Sequence, residues 1–334
     1  MESTALTKGV VVKIWVVLLV FSQSVFASEF RLRWSINSEL EYFIETSKEF
    51  KARVEDRTKG RVKVDVSLIK ADQEKHDHLA DVVEGRSDMG QEFVHKLKQY
   101  APGLEVWDIP YYFKSDDHVE AHLRSPEAQQ HLAALASVKK VTPLGYSFSG
   151  GFIYLYGHAP VRNLTELRGK HLYLEPSSQE YVRFLTTEMS ASTAPATSAD
   201  TGSPGPASVF EIIAGVADEL FDRSDRDKLV VTKSNHRVIS RIVVISDKFL
   251  AGLPEDLRHI VIEEGRLAAE RERGITLRQR DRFLSLAKAR GVRVVEPDTT
   301  SANEKSARER ISRLYTETYT ASGKRVQRSI SRSH

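Results

Sequence analysis

Hydrophobic and polar positions change period several times along the chain. Phe30-Arg31-Leu32-Arg33-Trp34-Ser35-Ile36 alternates, which predicts a half-buried strand. Phe43, Ser47, Phe50 and Val54 then recur at helical spacing, and Thr58-Lys59-Gly60 supplies a helix stop. Arg61 to Val66 alternates again, and His78 to Glu84 suits a helix closed by Gly85. Strand, helix, strand, helix predicts a sheet covered by helices.

Val106-Trp107-Asp108-Ile109-Pro110-Tyr111-Tyr112-Phe113 is an apolar-aromatic segment stiffened by proline. His118 to Ser137 predicts a helix that Pro126 breaks or restarts. Val141 to Ser147, Phe152 to Tyr156 and His171 to Leu174 are expected strands. Asn163 to Leu167 is expected as a short helical turn, and Tyr181 to Glu188 as a helix. Ser190 to Ser208 is rich in Ala, Thr, Ser, Gly and Pro and predicts a flexible loop or linker. Val209, Phe210, Ile212, Ile213 and Val216 give one apolar helix face. Arg237 to Ile245 predicts a strand, Glu255 to Arg290 a long charged helix, Val292 to Val295 a last strand, and Ser301 to Thr318 a last helix. There is no internal repeat.

With 334 residues the chain exceeds what one small core needs, so two lobes are expected. A formal net charge of +3 speaks against a nucleic-acid partner. The basic tail from Lys324 to Arg332 reads as a solvated end. The absence of cysteine excludes disulfides, thiol catalysis and cysteine-ligated zinc. Lys8 and Lys13 precede the apolar run Ile14 to Phe21, and Val25-Phe26-Ala27 carries the small residues a signal peptidase reads. Residues 1–27 therefore predict a secretory signal cleaved after Ala27, and a periplasmic location. A membrane anchor is the other reading, but the apolar core is short and Ser22-Gln23-Ser24 interrupts it.

Several stretches resemble the solute-binding proteins of tripartite ATP-independent periplasmic (TRAP) transporters, dicarboxylate-binding type. These are Lys59 to Val64, Glu84-Gly85-Arg86-Ser87-Asp88-Met89, Asp108 to Phe113, Val161 to Lys170, and Ser246 to Pro254 with the helix after it. The resemblance implies an α/β fold of two lobes with hinge strands and a long connecting helix, and a solute held in the cleft between the lobes. Lobe I is expected over about residues 28–150 plus a later segment, lobe II over about 151–250, and C-terminal helices over about 255–320. The resemblance also implies partnership with membrane permease subunits, no catalysis and no cofactor.

The chain departs from that family where organic acids are held. An arginine fork suits a carboxylate because its donors are planar and permanently charged. The positions matching the family's two arginines carry Tyr173 and Ile153, and the stretch after Ala217-Asp218 lacks the family's polar segment. The solute is therefore expected not to be a typical carboxylate. Tyr146, Phe148, Phe152, Tyr154 and Tyr173, with Glu74 and Asp218, are the candidate ligand contacts; aromatic faces and carboxylates suit a cationic or hydroxyl-rich solute. The same rings equally suit the packing of a strand core. The alternative function is an accessory protein of an envelope efflux complex that keeps the fold without the solute.

No nucleophile elbow, phosphate loop or dinucleotide fingerprint is present, which argues against a periplasmic hydrolase. His76 and His78 flank Asp77. Read as helical, positions i and i+2 point to different faces, so no metal site is expected there.

Overall fold

The structure, a computed structural model, describes residues 30–36, 40–69, 76–175, 177–187, 189–195, 207–213, 217–298, 305 and 309. The expected signal, Glu74 and the basic tail lie outside the described residues, as does the expected last helix apart from residues 305 and 309.

Strand β1 (Phe30–Ile36) buries Leu32, Trp34 and Ile36, as its alternation requires. Helix α1 (Glu41–Arg57) buries Phe43, Ser47, Phe50 and Val54 on one face. It stops because Lys59 and Gly60 turn left-handed, with φ of 52° and 76°. Gly60 N–H then reaches back to the Glu55 carbonyl at 2.7 Å, and the closing pattern satisfies the orphan carbonyls of the last turn. Strand β2 (Val62–Leu68) pairs parallel with β1, Trp34 opposite Val66. Helix α2 (His78–Val83) ends before Gly85, at φ 78°. Strand β3 (Met89–Phe93), not anticipated, follows and runs into α3 (Val94–Leu97).

The proline break is real: α4 (Asp116–Leu123) and α5 (Pro126–Lys139) are separate helices. Ser125 caps the second, its Oγ accepting from Ala128 N–H at 3.1 Å, and Pro126 takes the first helical position, where no donor is needed. Strands β4 (Val141–Phe152) and β5 (Tyr154–Gly157) follow, then β6 (His171–Leu174), α6 (Gln179–Thr187), β7 (Ser192–Pro195), β8 (Ser208–Ile212), β9 (Val230–Thr232), β10 (Val238–Ser246), α7 (Asp247–Ala251), α8 (Glu255–Ala289) and β11 (Arg293–Val295).

These strands form two sheets, ordered β2-β1-β3-β10-β4 and β11-β9-β5-β8-β6-β7. Strand 238–246, numbered within the range expected for the second lobe, pairs in the first sheet. The chain passes between the sheets as strands twice, side by side, and a third time through α8. Strand β4 ends at Phe152 and β5 starts at Tyr154 in the other sheet; β9 lies in the second sheet and β10 in the first. The two crossings are laced together, Val238 opposite Phe152 and Ile153 N–H donating to the Arg237 carbonyl at 3.0 Å. Gly150 and Gly151, at φ 95° and 70°, bend the first crossing. Helix α8 is roughly 50 Å long at 1.5 Å per residue. Its early turns pack Leu257, Val261 and Ala268 against the first sheet's core, and its last turns pack Phe283 and Ala287 against the second.

Two expectations are corrected. The run 209–216 was expected as a helix face, yet Ser208–Ile212 is a strand. It lies between β5 and β6 with residues of both parities buried, so an unbroken apolar stretch imitates helical spacing. The stretch 190–208 was expected to be loop throughout, but Ser192–Pro195 pairs parallel with β6 as an edge strand, where proline is tolerated.

Candidate functional site

The crossings carry a buried ionic cluster. Glu211, in the middle of β8, is fully buried. Its Oε1 accepts from the Tyr181 hydroxyl at 2.9 Å and from Arg237 Nε at 3.0 Å, and lies 2.8 Å from His236 Nε2. Its Oε2 accepts from Glu175 N–H at 2.9 Å and from the Arg237 guanidinium. Arg237 also donates to the Glu175 carbonyl at 3.1 Å. Burial alone would raise the Glu211 pKa, but Arg237 and His236 hold it down to about 2. Burial lowers that of His236. The Pro110 segment docks here too: Tyr111, at φ 61°, donates its N–H to the His236 carbonyl at 2.7 Å.

Beside this cluster a cavity of about 510 Å³ opens between the two sheets' elements. One wall is built from His76, Glu92, His95, Lys96 and Tyr100 on the first-sheet side; the other is Ser177, Ser178 and Gln179, entering α6. The lysines are engaged. Lys96 Nζ lies 2.8 Å from the His76 carbonyl and 3.4 Å from Glu92, and Lys98 Nζ lies 3.3 Å from Asp108. Burial lowers the His95 pKa to about 3, so this ring is neutral. Deeper in, the Arg241 guanidinium stacks 3.9 Å from the Phe93 ring and 4.8 Å from Phe43. Glu272, on α8, accepts from Gln91 Nε2 at 2.8 Å, and burial raises its pKa to about 7.

The aromatic candidates do not converge on this cavity. Tyr146 stacks on Trp107 at 5.3 Å, and its hydroxyl donates to the Ala128 carbonyl. It also borders a second cavity, of about 830 Å³, between α4, α5, β4 and α8. Phe148 and Phe152 sit in the same core as Tyr146, and Tyr154 in the core behind the second sheet. Tyr173 is half-buried, its ring parallel to Phe210 at 4.2 Å. Asp218 falls in the short 3-10 turn Ala217–Asp222, and Glu74 lies outside the described residues. Ile153, at one family arginine position, is buried with Phe93, Ile213 and Ile239.

The cluster of Glu211, His236 and Arg237 was not anticipated. The available signal was a lone glutamate in the apolar run Val209-Phe210-Glu211-Ile212-Ile213, because a charge buried in a strand demands partners from elsewhere. The helical reading left it off the apolar face of Val209, Phe210, Ile212, Ile213 and Val216.

His76 and His78 are also placed differently from expectation. Asp77 is extended and caps α2, its Oδ1 accepting from Ala80 N–H at 2.8 Å. His76 therefore precedes the helix, and the opposite-face rule does not apply to it. The two rings pack 4.5 Å apart, and His76 Nε2 lies 2.6 Å from Asp81 Oδ2.

Two α/β sheets joined by paired crossing strands and one long helix, with a cavity between them, define a two-lobed binding protein. The chain belongs to bacterial extracellular solute-binding protein family 7: the DctP family model matches residues 35–187 and 228–322. The unmatched residues between those spans include the Ala-, Thr- and Ser-rich stretch. Solved TRAP periplasmic solute-binding proteins share the fold. One from Ralstonia eutropha H16, with bound (S)-2-acetolactate, is 17% identical with a TM-score of 0.74, covering 92% of this chain and all of its own. One from Sulfurospirillum deleyianum, with bound succinate, is 18% identical at 0.72, covering 91% and 99%. One from Sulfitobacter sp. NAS-14.1, with bound β-D-galacturonate, is 18% identical at 0.71, covering 90% and 98%. The protein is thus a solute-binding protein of that family, with the fold of the solved TRAP periplasmic proteins.

Proposed function

We propose that the protein is exported by a signal cleaved after Ala27 and captures a small polar solute in the cleft between its sheets. It hands the solute to TRAP permease subunits and does no chemistry on it. The observation that carries this reading is the cavity of about 510 Å³ walled by His76 to Tyr100 on one side and Ser177 to Gln179 on the other. A solute touching both walls favours the closed arrangement by its differential contacts.

The charge balance of that cleft favours a neutral, hydroxyl-rich solute or an amine over a dicarboxylate. Of the cations on its walls, Lys96 stands against Glu92 and Lys98 against Asp108; Arg237, outside the lining, stands against Glu211. Tyr173, the most open of the five candidate rings, does not line that cavity and stays a candidate contact only for a solute that reaches the second sheet. Loss of two charge-assisted hydrogen bonds, each worth roughly 1.5–3 kcal/mol, weakens an organic acid by about two to four powers of ten. A second reading has one observation in its favour. Arg237 stands where the strands cross, oriented by Glu211 and Glu175, and can substitute for the arginine that Tyr173 replaces. The relatives crystallised with succinate and galacturonate agree with that reading.

Calorimetry over polyols, amines and organic acids separates the two. Micromolar binding of a polyol or amine, with succinate and galacturonate weaker than about millimolar, is the expected result. Micromolar binding of an acid, lost in Arg237→Gln, would transfer the assignment to the arginine clamp. Intact-mass measurement of periplasmic material should find a chain starting at Ser28; a chain retaining Met1 at the inner membrane would count against export with cleavage.

A further inference from the structure

At the rim of the cleft, where the first turn of α2 begins, three potential metal ligands converge. Asp77 caps the helix from an extended conformation, so His78 opens the helix and Asp81 lies one turn on, at i+3, along the same face. His76 folds back over that turn. One ligand atom from each of His76, His78 and Asp81 lies within 4.8 Å of the others.

We propose that His76, His78 and Asp81 form a mononuclear site for a borderline divalent transition metal such as Zn²⁺. The proposal stands whichever solute the cleft takes.

Three features support it. His78 is 1% exposed, and neither ring nitrogen has a hydrogen-bond partner among the described residues. Burying an imidazole that way is costly, and a metal on one nitrogen relieves part of the cost. Asp81 is already held. Arg86 Nε donates to Oδ1 at 2.6 Å, which fixes the carboxylate and directs Oδ2 towards His76. Outer partners of this kind commonly orient metal ligands. Finally, two imidazoles and a single carboxylate suit Zn²⁺, Co²⁺, Ni²⁺ or Cu²⁺, whereas Ca²⁺ and Mg²⁺ favour all-oxygen shells.

Bonds of 2.0–2.1 Å in a tetrahedral site imply roughly 3.3 Å between donors. Here the three ligand atoms lie within 4.8 Å of one another, with His76 Nε2 and Asp81 Oδ2 closer, at 2.6 Å. His76 can adjust to both, because its side chain is 26% exposed and borders the cavity. Binding replaces the direct contact between His76 Nε2 and Asp81 Oδ2 by bonds to the ion. Three protein ligands leave one position for water, as in open zinc sites. Arg86 and Lys96 add positive charge nearby, so micromolar rather than nanomolar affinity is expected.

The test is calorimetric titration of the full chain, purified without a tag and stripped of metal, with Zn²⁺ alone. One site with micromolar affinity is expected. His78→Gln and His76→Gln should each weaken it by more than the roughly 10–100-fold typical of losing an outer partner. His259→Gln, an exposed histidine on α8, should not change it. Should His78→Gln fail to fold, the half-buried His76→Gln carries the comparison. X-ray absorption on the wild-type complex should then count two imidazoles. Affinity unchanged in His76→Gln, no site stronger than about millimolar, or fewer than two imidazoles would each overturn the proposal.

Discussion

Glu211 shows what a single buried charge does to this fold. Its carboxylate satisfies Arg237, His236, Tyr181 and the Glu175 backbone together. Glu211→Ala would leave Arg237 buried without its counter-charge, a loss of about 3–5 kcal/mol. For a chain of this size that is a fall of roughly 10 °C in melting midpoint, read by calorimetry. The pH dependence follows from the depressed Glu211 pKa. The unfolded carboxyl takes up its proton near the ordinary value of 4.5, the folded one only near 2. The unfolded state therefore binds more protons in that window, and stability falls as pH drops from about 4.5 towards 2. His236 acts in the same direction at higher pH, its folded pKa lying below the ordinary 6.5. A Glu211→Gln variant should lose much of the acid-sensitive slope, and equal slopes would contradict this assignment. Gly150 is the second decisive residue. At φ 95°, an alanine Cβ there would stand 2.3 Å from Ile213 Cγ2. Gly150→Ala should cost roughly 1–3 kcal/mol from backbone strain alone, measurable by urea denaturation.

At the scale of elements, sequence pattern was most informative where one face alone is buried. The alternation of 30–36, the helical spacing of 41–57 and the Ser125-Pro126 restart each mark an element whose other face meets solvent. Pattern failed where both faces are covered. Strand β8 sits inside the second sheet, and β3 is buried along its whole length, so neither shows alternation. It failed again at His76-Asp77-His78, where a capping aspartate puts a non-helical residue against a helical one. The ion pairs between α1 and α8 were equally hidden, since Glu264 meets Arg53 and Arg57 across more than 200 positions. Strand β7 restricts how far the Ala-, Thr- and Ser-rich stretch can be cut. Replacing Ser192–Pro195 by glycines should lower the melting midpoint by several degrees, because it removes the pairing with β6. An unchanged midpoint would show that the edge strand contributes little. Helix α8 approaches β4 closely at Gly265, where a Cβ would fall 2.5 Å from Leu144 Cδ1. Gly265→Val should therefore destabilise by about 1–3 kcal/mol through overpacking.

At the scale of the molecule, the two lobes and the long helix were legible in the chain, because the family's segments recur in order over nearly all of it. The cleft was only partly legible. Its two walls come from residues 76–100 and 177–179, which nothing local in the sequence brings together. The aromatic residues that stood out as candidates are prominent because they fill the cores on either side, and the ionic cluster at the crossings is assembled from four separate segments. The paired crossings and α8 are the covalent links between the sheets, which is the layout of a hinge-closing binder. Small-angle scattering with and without saturating solute, run over the polyol, amine and organic-acid panel, tests this most directly. At least one solute class should reduce the radius of gyration as the cleft closes. Scattering curves that coincide for every member of the panel would contradict solute capture between the lobes.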